Sequence, residues 1–183
     1  MVFNSCTGPK DPELIRQQQI GYYACITHLD HQIGRIIQAL IEHRLMDNTV
    51  ILFTSDHGEM LSDHGWCRKA LPYNGSARIP MFISGPERYI GPRGRTDDSL
   101  VELRDVMPTL LELAGAPIPA HLDGRSMLHP LDREYIHGEH TFGFNRWSSQ
   151  FIVTKTDKFI WLNERNEEQY FDLVNDPDET HNA

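Results

Sequence analysis

The sequence predicts an α/β layer fold with a small antiparallel sheet at its C-terminal end, and three observations carry that prediction. Apolar residues recur at three- and four-residue intervals between Ile26 and Ile41, the signature of one helix face. After a short connector, Thr49 to Thr54 reads Thr-Val-Ile-Leu-Phe-Thr, continuous and β-rich without alternation, the pattern of a strand covered on both faces as in a parallel sheet. From about residue 132 the texture changes to short, partly alternating runs between turn residues. A boundary near residues 129–133 therefore divides an α/β part, 1–131, from a small antiparallel subdomain, 132–183.

Asp11-Pro12-Glu13 opens the first helix with a capping acid, a proline at the first helical position and an acid in the first turn. Ile26, Leu29, Ile33, Ile36, Ile37, Leu40 and Ile41 form its apolar face, and Gly21 is a candidate bend. Met46-Asp47-Asn48 connects it to the first strand. Ser55 to Arg78 is a long loop rich in Gly, His, Asp and Pro, of the kind that carries function. Ile79 to Ser84 is a second strand ended by Gly85-Pro86, and Asp105 caps a helix that runs to Leu113 and closes at Gly115. Strands are expected at Glu134–His140, Ser149–Lys155, Lys158–Asn163 and Gln169–Leu173, with turns at Gly143-Phe144-Asn145 and Thr156-Asp157, before a polar tail from Asn175.

At 183 residues, 39% hydrophobic and 23% charged, the composition excludes a disordered, collagen-like or coiled-coil chain. A net charge of −9 lacks the basic footprint of a nucleic-acid binder. No apolar run approaches a membrane span, and the first residues do not read as a signal peptide, so the chain as given is expected in the cytoplasm, away from membranes. Three scattered cysteines make neither a disulfide framework nor a zinc clip. The unusual feature is ten histidines.

Chemistry concentrates in Ser55-Asp56-His57-Gly58-Glu59-Met60-Leu61-Ser62-Asp63-His64-Gly65. The strand delivers Asp56 and His57 at its C-terminal end, where open α/β sheets place ligands. A carboxylate with an imidazole suits a divalent cation, and Gly58 allows a sharp turn that aims both at one spot. Asp-His-Gly recurs seven residues later; that is also two helical turns, but glycines at 58 and 65 favour a loop.

With these motifs in place, the sequence resembles the sulfatases of the alkaline-phosphatase superfamily. Tyr22-Tyr23-Ala24 with Asp30, Gln32, Ile33, Gly34 and Arg35 resembles the helix before the family's metal strand; Thr54-Ser55-Asp56-His57-Gly58 resembles the metal motif itself. Asp63-His64-Gly65, Arg78-Ile79-Pro80, Asp105 to Leu111, Asp123-Gly124-Arg125-Ser126, and Tyr170-Phe171-Asp172-Leu173 with Asn175-Asp176-Pro177 and Glu179 follow in the family's order.

The resemblance implies a partial alkaline-phosphatase-like fold and metal-dependent hydrolysis of sulfate esters, in which a cysteine-derived formylglycine attacks sulfur. Asp56 and His57 would be metal ligands for Ca, Mg, Mn or Zn, Lys69 the cation that holds the sulfate, and His140 a substrate contact. Many members have Asn where this chain has His57; the Asp-His form is more typical of phosphonate and phosphodiester hydrolases and of some sulfatases, so phosphonate or phosphodiester hydrolysis stands as the alternative activity. The family's nucleophile motif, Cys-x-Pro-x-Arg or Cys-x-Ala-x-Arg, does not occur, and Cys6-Thr7-Gly8-Pro9-Lys10 misses it by one position and a Lys for Arg. Without formylglycine and the family's other carboxylates, the chain is expected to be a C-terminal portion that binds metal weakly and does not turn over alone. Its expected partners are a sulfate- or phosphate-ester small molecule or glycan for the parent enzyme, and a missing N-terminal half or a second copy; a non-catalytic remnant is the remaining reading.

The other candidates have plainer roles. Cys25 is expected in the core, Cys6 at a mobile end and Cys67 beside the site or exposed. His28 and His31 would face solvent, His43 would sit at a helix C-terminus, and His137 would flank Gly138-Glu139 on a strand. Arg78 would brace a carboxylate or carbonyl, and Glu59 and Asp63 would be solvated loop acids.

Overall fold

The computed structural model describes residues 5–142 and 147–183, so the turn expected at Gly143-Phe144-Asn145 lies outside the described residues. It divides into two compact bodies, Met1–Ala70 with Gly75–Arg93, and Leu71–Asn74 with Gly94–Ala183.

In the first body, β1 (Ser5–Thr7) pairs antiparallel with β3 (Trp66–Arg68), and α1 (Pro12–Glu42) is one unbroken helix through Gly21. The Asp11 carboxylate accepts the Glu13 N–H at 2.9 Å, which is the expected N-cap. β2 (Ile51–Thr54) pairs antiparallel with β4 (Met81–Ser84), with Phe53 opposite and stacked on Phe82, ring centroids 4.9 Å apart. All four residues of β2 are half-buried, although the apolar run predicts cover on both faces. The short α2 (Asn74–Ala77) and α3 (Glu87–Ile90) flank β4 in sequence.

In the second body, α4 (Val106–Leu113) ends before Gly115, whose φ of +67° is the left-handed conformation glycine adopts freely. Asp105 is the N-cap residue of α4, as expected, but its side chain makes no capping bond to that helix. It is fully buried and reaches back to the Glu102 N–H (2.9 Å) and across to the Arg125 N–H and the Arg133 guanidinium, each 2.8 Å away. Gly124 is required beside it, because a Cβ there would stand 1.9 Å from the Arg104 carbonyl oxygen.

The four predicted strands are present as β5 (Ile136–Phe142), β6 (Trp147–Val153), β7 (Asp157–Leu162) and β8 (Glu167–Asp172), forming an antiparallel meander in sequence order. Alternation along β7 and β8 buries Lys158, Ile160 and Phe171 and turns Phe159 and Tyr170 outward. The buried Lys158 ammonium is paired with the buried Glu179 carboxylate and also donates to Asn74 Oδ1 (2.7 Å) and the Pro72 carbonyl (3.1 Å). No described helix is long and apolar enough to cross a membrane.

Candidate functional site

Three of the four predicted site residues, Asp56, His57 and Lys69, come together at the C-terminal end of β2. The chain leaves the strand with the Ser55 hydroxyl donating to the His57 carbonyl at 2.6 Å and the Gly58 N–H donating to the Ser76 carbonyl at 2.8 Å. Gly58 serves by close approach, since a Cβ would stand 2.1 Å from the Gly75 carbonyl oxygen; only a bare backbone fits there.

The tautomer of His57 follows from its neighbours. Nδ1 lies 2.7 Å from the Gly58 carbonyl oxygen, which only accepts, so Nδ1 carries the proton. Nε2 lies 2.7 Å from Lys69 Nζ, an ammonium that only donates, so Nε2 offers its lone pair. Asp56 Oδ2 stands 3.4 Å from the same Nε2, and the Asp56 side chain is 81% exposed. A lone pair and a carboxylate oxygen thus converge with no proton between them, and the positive charge beside them is Lys69.

The loop that brings Lys69 back is held under strain. Leu61, Ser62, His64, Arg68 and Ala70 all have positive φ, and the last two flank Lys69 directly. Non-glycine residues in this region cost about 1–3 kcal/mol each and persist where surrounding bonds over-determine them. Glu59 supplies such bonds: its Oε1 accepts the Leu61 N–H at 3.3 Å and the Arg68 N–H. Glu59 is therefore a loop clamp and not the solvated acid its sequence position predicts. Met60, fully buried, donates its N–H to the Arg68 carbonyl, and Ser62 donates to the Trp66 carbonyl, both at 2.8 Å. The second Asp-His-Gly is a short 3-10 turn with Asp63 and His64 exposed; it does not join the first.

All three cysteines lie in the first body. Cys25 is exposed on α1, because the helix face assigned to the core has no cover. Cys67 is buried, its Sγ 3.0 Å from Gln18 Nε2 and 3.3 Å from Gln18 Oε1. Cys6, expected at a loose end, lies on β1 in register with Cys67. His140 is on β5 in the second body, in register with Ser149. His28, His31 and His137 are exposed, His43 is the α1 C-cap, and Arg78 is exposed.

Among the described residues, no three His, Cys, Asp or Glu side chains converge on one point. The pair that does, Asp56 and His57, fits two positions of a divalent ion. Metal–ligand bonds of about 2.1–2.4 Å put neighbouring ligands roughly 3.0–3.4 Å apart, and the carbonyl bond at Nδ1 fixes the imidazole as ligating histidines are usually fixed.

An α/β body with Asp-His at a strand end, followed by a four-stranded antiparallel sheet, matches the partial fold that the resemblance to the alkaline-phosphatase superfamily implies. Within it, the chain belongs to the sulfatase family, as a C-terminal portion: the sulfatase family model matches residues 4–116, and that for the C-terminal region of N-sulphoglucosamine sulphohydrolase matches 62–183. An arylsulfatase of Clostridium perfringens is 47% identical over 98% of this chain and 38% of its own length. A protein solved in complex with its substrate D-glucosamine-2-N,6-O-disulfate matches with a TM-score of 0.79 at 29% identity, covering 86% of this chain and 34% of that one. The phosphonate monoester hydrolase of Agrobacterium radiobacter matches with a TM-score of 0.77 at 28% identity, covering 88% and 36%. The chain thus spans little more than a third of the relatives it matches.

Proposed function

We propose that this chain carries the metal and anion-binding end of a sulfate-ester hydrolase site, with Asp56 and His57 as two ligands of a divalent cation and Lys69 as the group that holds the ester's charged oxygens. The observation that supports this most directly is the convergence of Asp56 Oδ2, the His57 Nε2 lone pair and Lys69 Nζ within 3.4 Å of the imidazole nitrogen. When bound, the cation supplies Lewis-acid neutralisation of the ester oxygens. The residues supply the rest. Gly58 holds His57 Nδ1 so that Nε2 faces Asp56, Glu59 fixes the turn before Lys69, and Lys69 brings a fixed positive charge to the developing anion, where preorganised charge lowers the barrier most.

The substrate class is a sulfated sugar or aryl sulfate, supported by the disulfated glucosamine of the solved relative and the arylsulfatase relative. Phosphonate or phosphate-ester hydrolysis is the second reading, supported by the phosphonate monoester hydrolase neighbour and by a histidine at position 57. Because the sequence contains no Cys-x-Pro-x-Arg or Cys-x-Ala-x-Arg, the chain alone is assigned binding without turnover.

Titration with Ca, Mg, Mn and Zn in turn tests the proposal. Two protein ligands predict a dissociation constant of about 10⁻⁴ M or weaker, lost in Asp56→Asn and His57→Ala. Binding unaffected by either substitution refutes the ligand assignment. Turnover of aryl sulfate or phosphonate esters by the isolated chain refutes the assignment of binding alone.

A further inference from the structure

One side chain of α1 meets two residues of the loop that leads to Lys69. Gln18 is half-buried, and its Nε2 donates to Cys67 Sγ at 3.0 Å. Its Oε1 accepts from the Ser62 hydroxyl and from the Cys67 thiol, both at 3.3 Å. Ser62 Oγ and Cys67 Sγ are themselves 3.7 Å apart, so amide, hydroxyl and thiol form one closed cluster. A side-chain amide offers a donor and an acceptor from one plane, which lets Gln18 serve the thiol in both directions.

Gln18 differs from its neighbours on α1 in where its amide goes. Gln17 donates to Glu13 at 3.1 Å, Gln38 donates to Glu42 at 2.9 Å, and Gln32 accepts from Arg35 at 2.7 Å, all within the helix. Gln18 instead reaches residues 44 and 49 positions away. The cluster is closed in: Cys67 is 6% exposed, and a Cβ on Gly8 would stand 3.0 Å from Ser62 Oγ and 3.1 Å from Cys67 Sγ. Polar groups shut away from water need partners, and the Gln18 amide supplies them.

The consequence falls on Lys69. Ser62, with φ of +80°, and Arg68, with φ of +70°, are strained, and Cys67 stands two residues before Lys69. The Glu59 carboxylate holds the Arg68 N–H, and Gln18 holds the Cys67 side chain. A single tether leaves a pivot, whereas tethers on a backbone group and on the adjacent side chain fix a direction as well as a place. We infer that Gln18 is a positioning residue for Lys69: by bridging Ser62 and Cys67 it fixes the strained loop that sets the ammonium at the anion end of the site. It acts through those two residues and not by contact with the anion. The inference rests on the reading of Lys69 as the anion-holding group.

The test measures binding of inorganic sulfate and of Mn²⁺ to the full chain by calorimetry. Beside it, hydrogen exchange is followed at the Met60 and Arg68 N–H groups, which are bonded to the Arg68 carbonyl and to Glu59. Gln18→Met keeps the length of the side chain without the amide, and Cys67→Ala removes the thiol. Each is expected to weaken sulfate binding and to speed exchange at both groups, by about tenfold in each case. Mn²⁺ affinity holds or rises, as Lys69 leaves His57 Nε2. Cys67→Ser retains a donor and an acceptor and stays within about twofold of the parent, as does Gln17→Met. Gln18→Met with Cys67→Ala loses no more than either alone, because both remove one link. Three results overturn the inference: parent-like sulfate affinity and exchange in both single variants; a double variant that loses the sum of the two; or sulfate and Mn²⁺ weakening together, which marks a merely structural role. Failure of the Lys69 reading looks different, since parent and Lys69→Met would then bind sulfate equally while exchange at Arg68 still reports whether Gln18 holds the loop.

Discussion

Arg133 grips Asp105 through two parallel hydrogen bonds, Nη1 to Oδ2 and Nη2 to Oδ1, each 2.8 Å long. The carboxylate is fully buried and also receives the backbone N–H groups of Glu102 and Arg125, so one side chain ties the start of α4 to the Asp123-Gly124-Arg125 turn. Burial pushes its pKa up, but the guanidinium fork and the two N–H donors outweigh burial and hold it below the ordinary carboxylate value.

Arg133→Met leaves the buried Asp105 carboxylate without its counter-charge and is expected to cost about 3–5 kcal/mol in urea unfolding at pH 7, whereas Asp105→Ala should cost less because Arg133 keeps Glu102 Oε1 at 3.5 Å. The folded pKa is depressed, so this contribution is fully present above the unfolded value of about 3.9 and is lost as pH falls through the folded value below it. The parent should therefore lose stability in acid below about pH 4, and Asp105→Ala should lose less over the same interval. Equal acid sensitivity would remove Asp105 from the explanation.

The Lys158–Glu179 pair is expected to behave differently from a surface ion pair, because both side chains are 1% exposed. Lys158→Met alone strands a buried carboxylate and should destabilise by about 3–5 kcal/mol, whereas Lys158→Met with Glu179→Leu should recover most of that loss. Recovery stays incomplete because the Asn74 N–H donates to Glu179 Oε2 at 2.6 Å and loses its acceptor. A double-mutant cycle by thermal unfolding reads the coupling, and additive losses would show that the two charges act independently.

Gly58 and Gly124 make a matched pair of probes. Alanine at either meets a carbonyl oxygen, at 2.1 Å and 1.9 Å respectively, and each substitution should cost about 1–3 kcal/mol as the backbone shifts. Only Gly58→Ala should also weaken divalent-metal binding, because it displaces the turn that carries Asp56 and His57. A calorimetric titration beside a thermal melt separates the two effects; equal metal affinity in both variants would detach the site from that turn.

These contacts mark where the sequence was legible and where it was not. The Asp11-Pro12-Glu13 start of α1, the four C-terminal strands and the strand-end Asp56-His57 pair are local signals, readable from caps, alternation and spacing. Asp105–Arg133 and Lys158–Glu179 join residues 28 and 21 positions apart, and charged side chains read as surface until the fold brings their partners in. Cys25 was misplaced for a related reason: the α1 periodicity correctly marks an apolar face, but periodicity says nothing about which polypeptide covers it. Glu59 carried no signal beyond being an acid in a glycine-rich loop, since its role depends on meeting the Arg68 N–H nine residues on.

The sharpest prediction concerns Lys69, because its ammonium donates to the lone pair that a metal would use. At 2.7 Å from His57 Nε2, Lys69 competes with a cation for that nitrogen and repels it electrostatically. Lys69→Met should therefore raise the affinity of the isolated chain for Mn²⁺, by about tenfold if the charge is partly screened, since that corresponds to about 1.4 kcal/mol. The same substitution should weaken inorganic sulfate binding, because the anion loses its positively charged contact. Opposite movement of cation and anion affinities is a signature that loss of folding cannot produce, as unfolding lowers both. If Lys69→Met weakens Mn²⁺ and sulfate together while circular dichroism stays unchanged, Lys69 holds the loop in place and its charge does not act at the site.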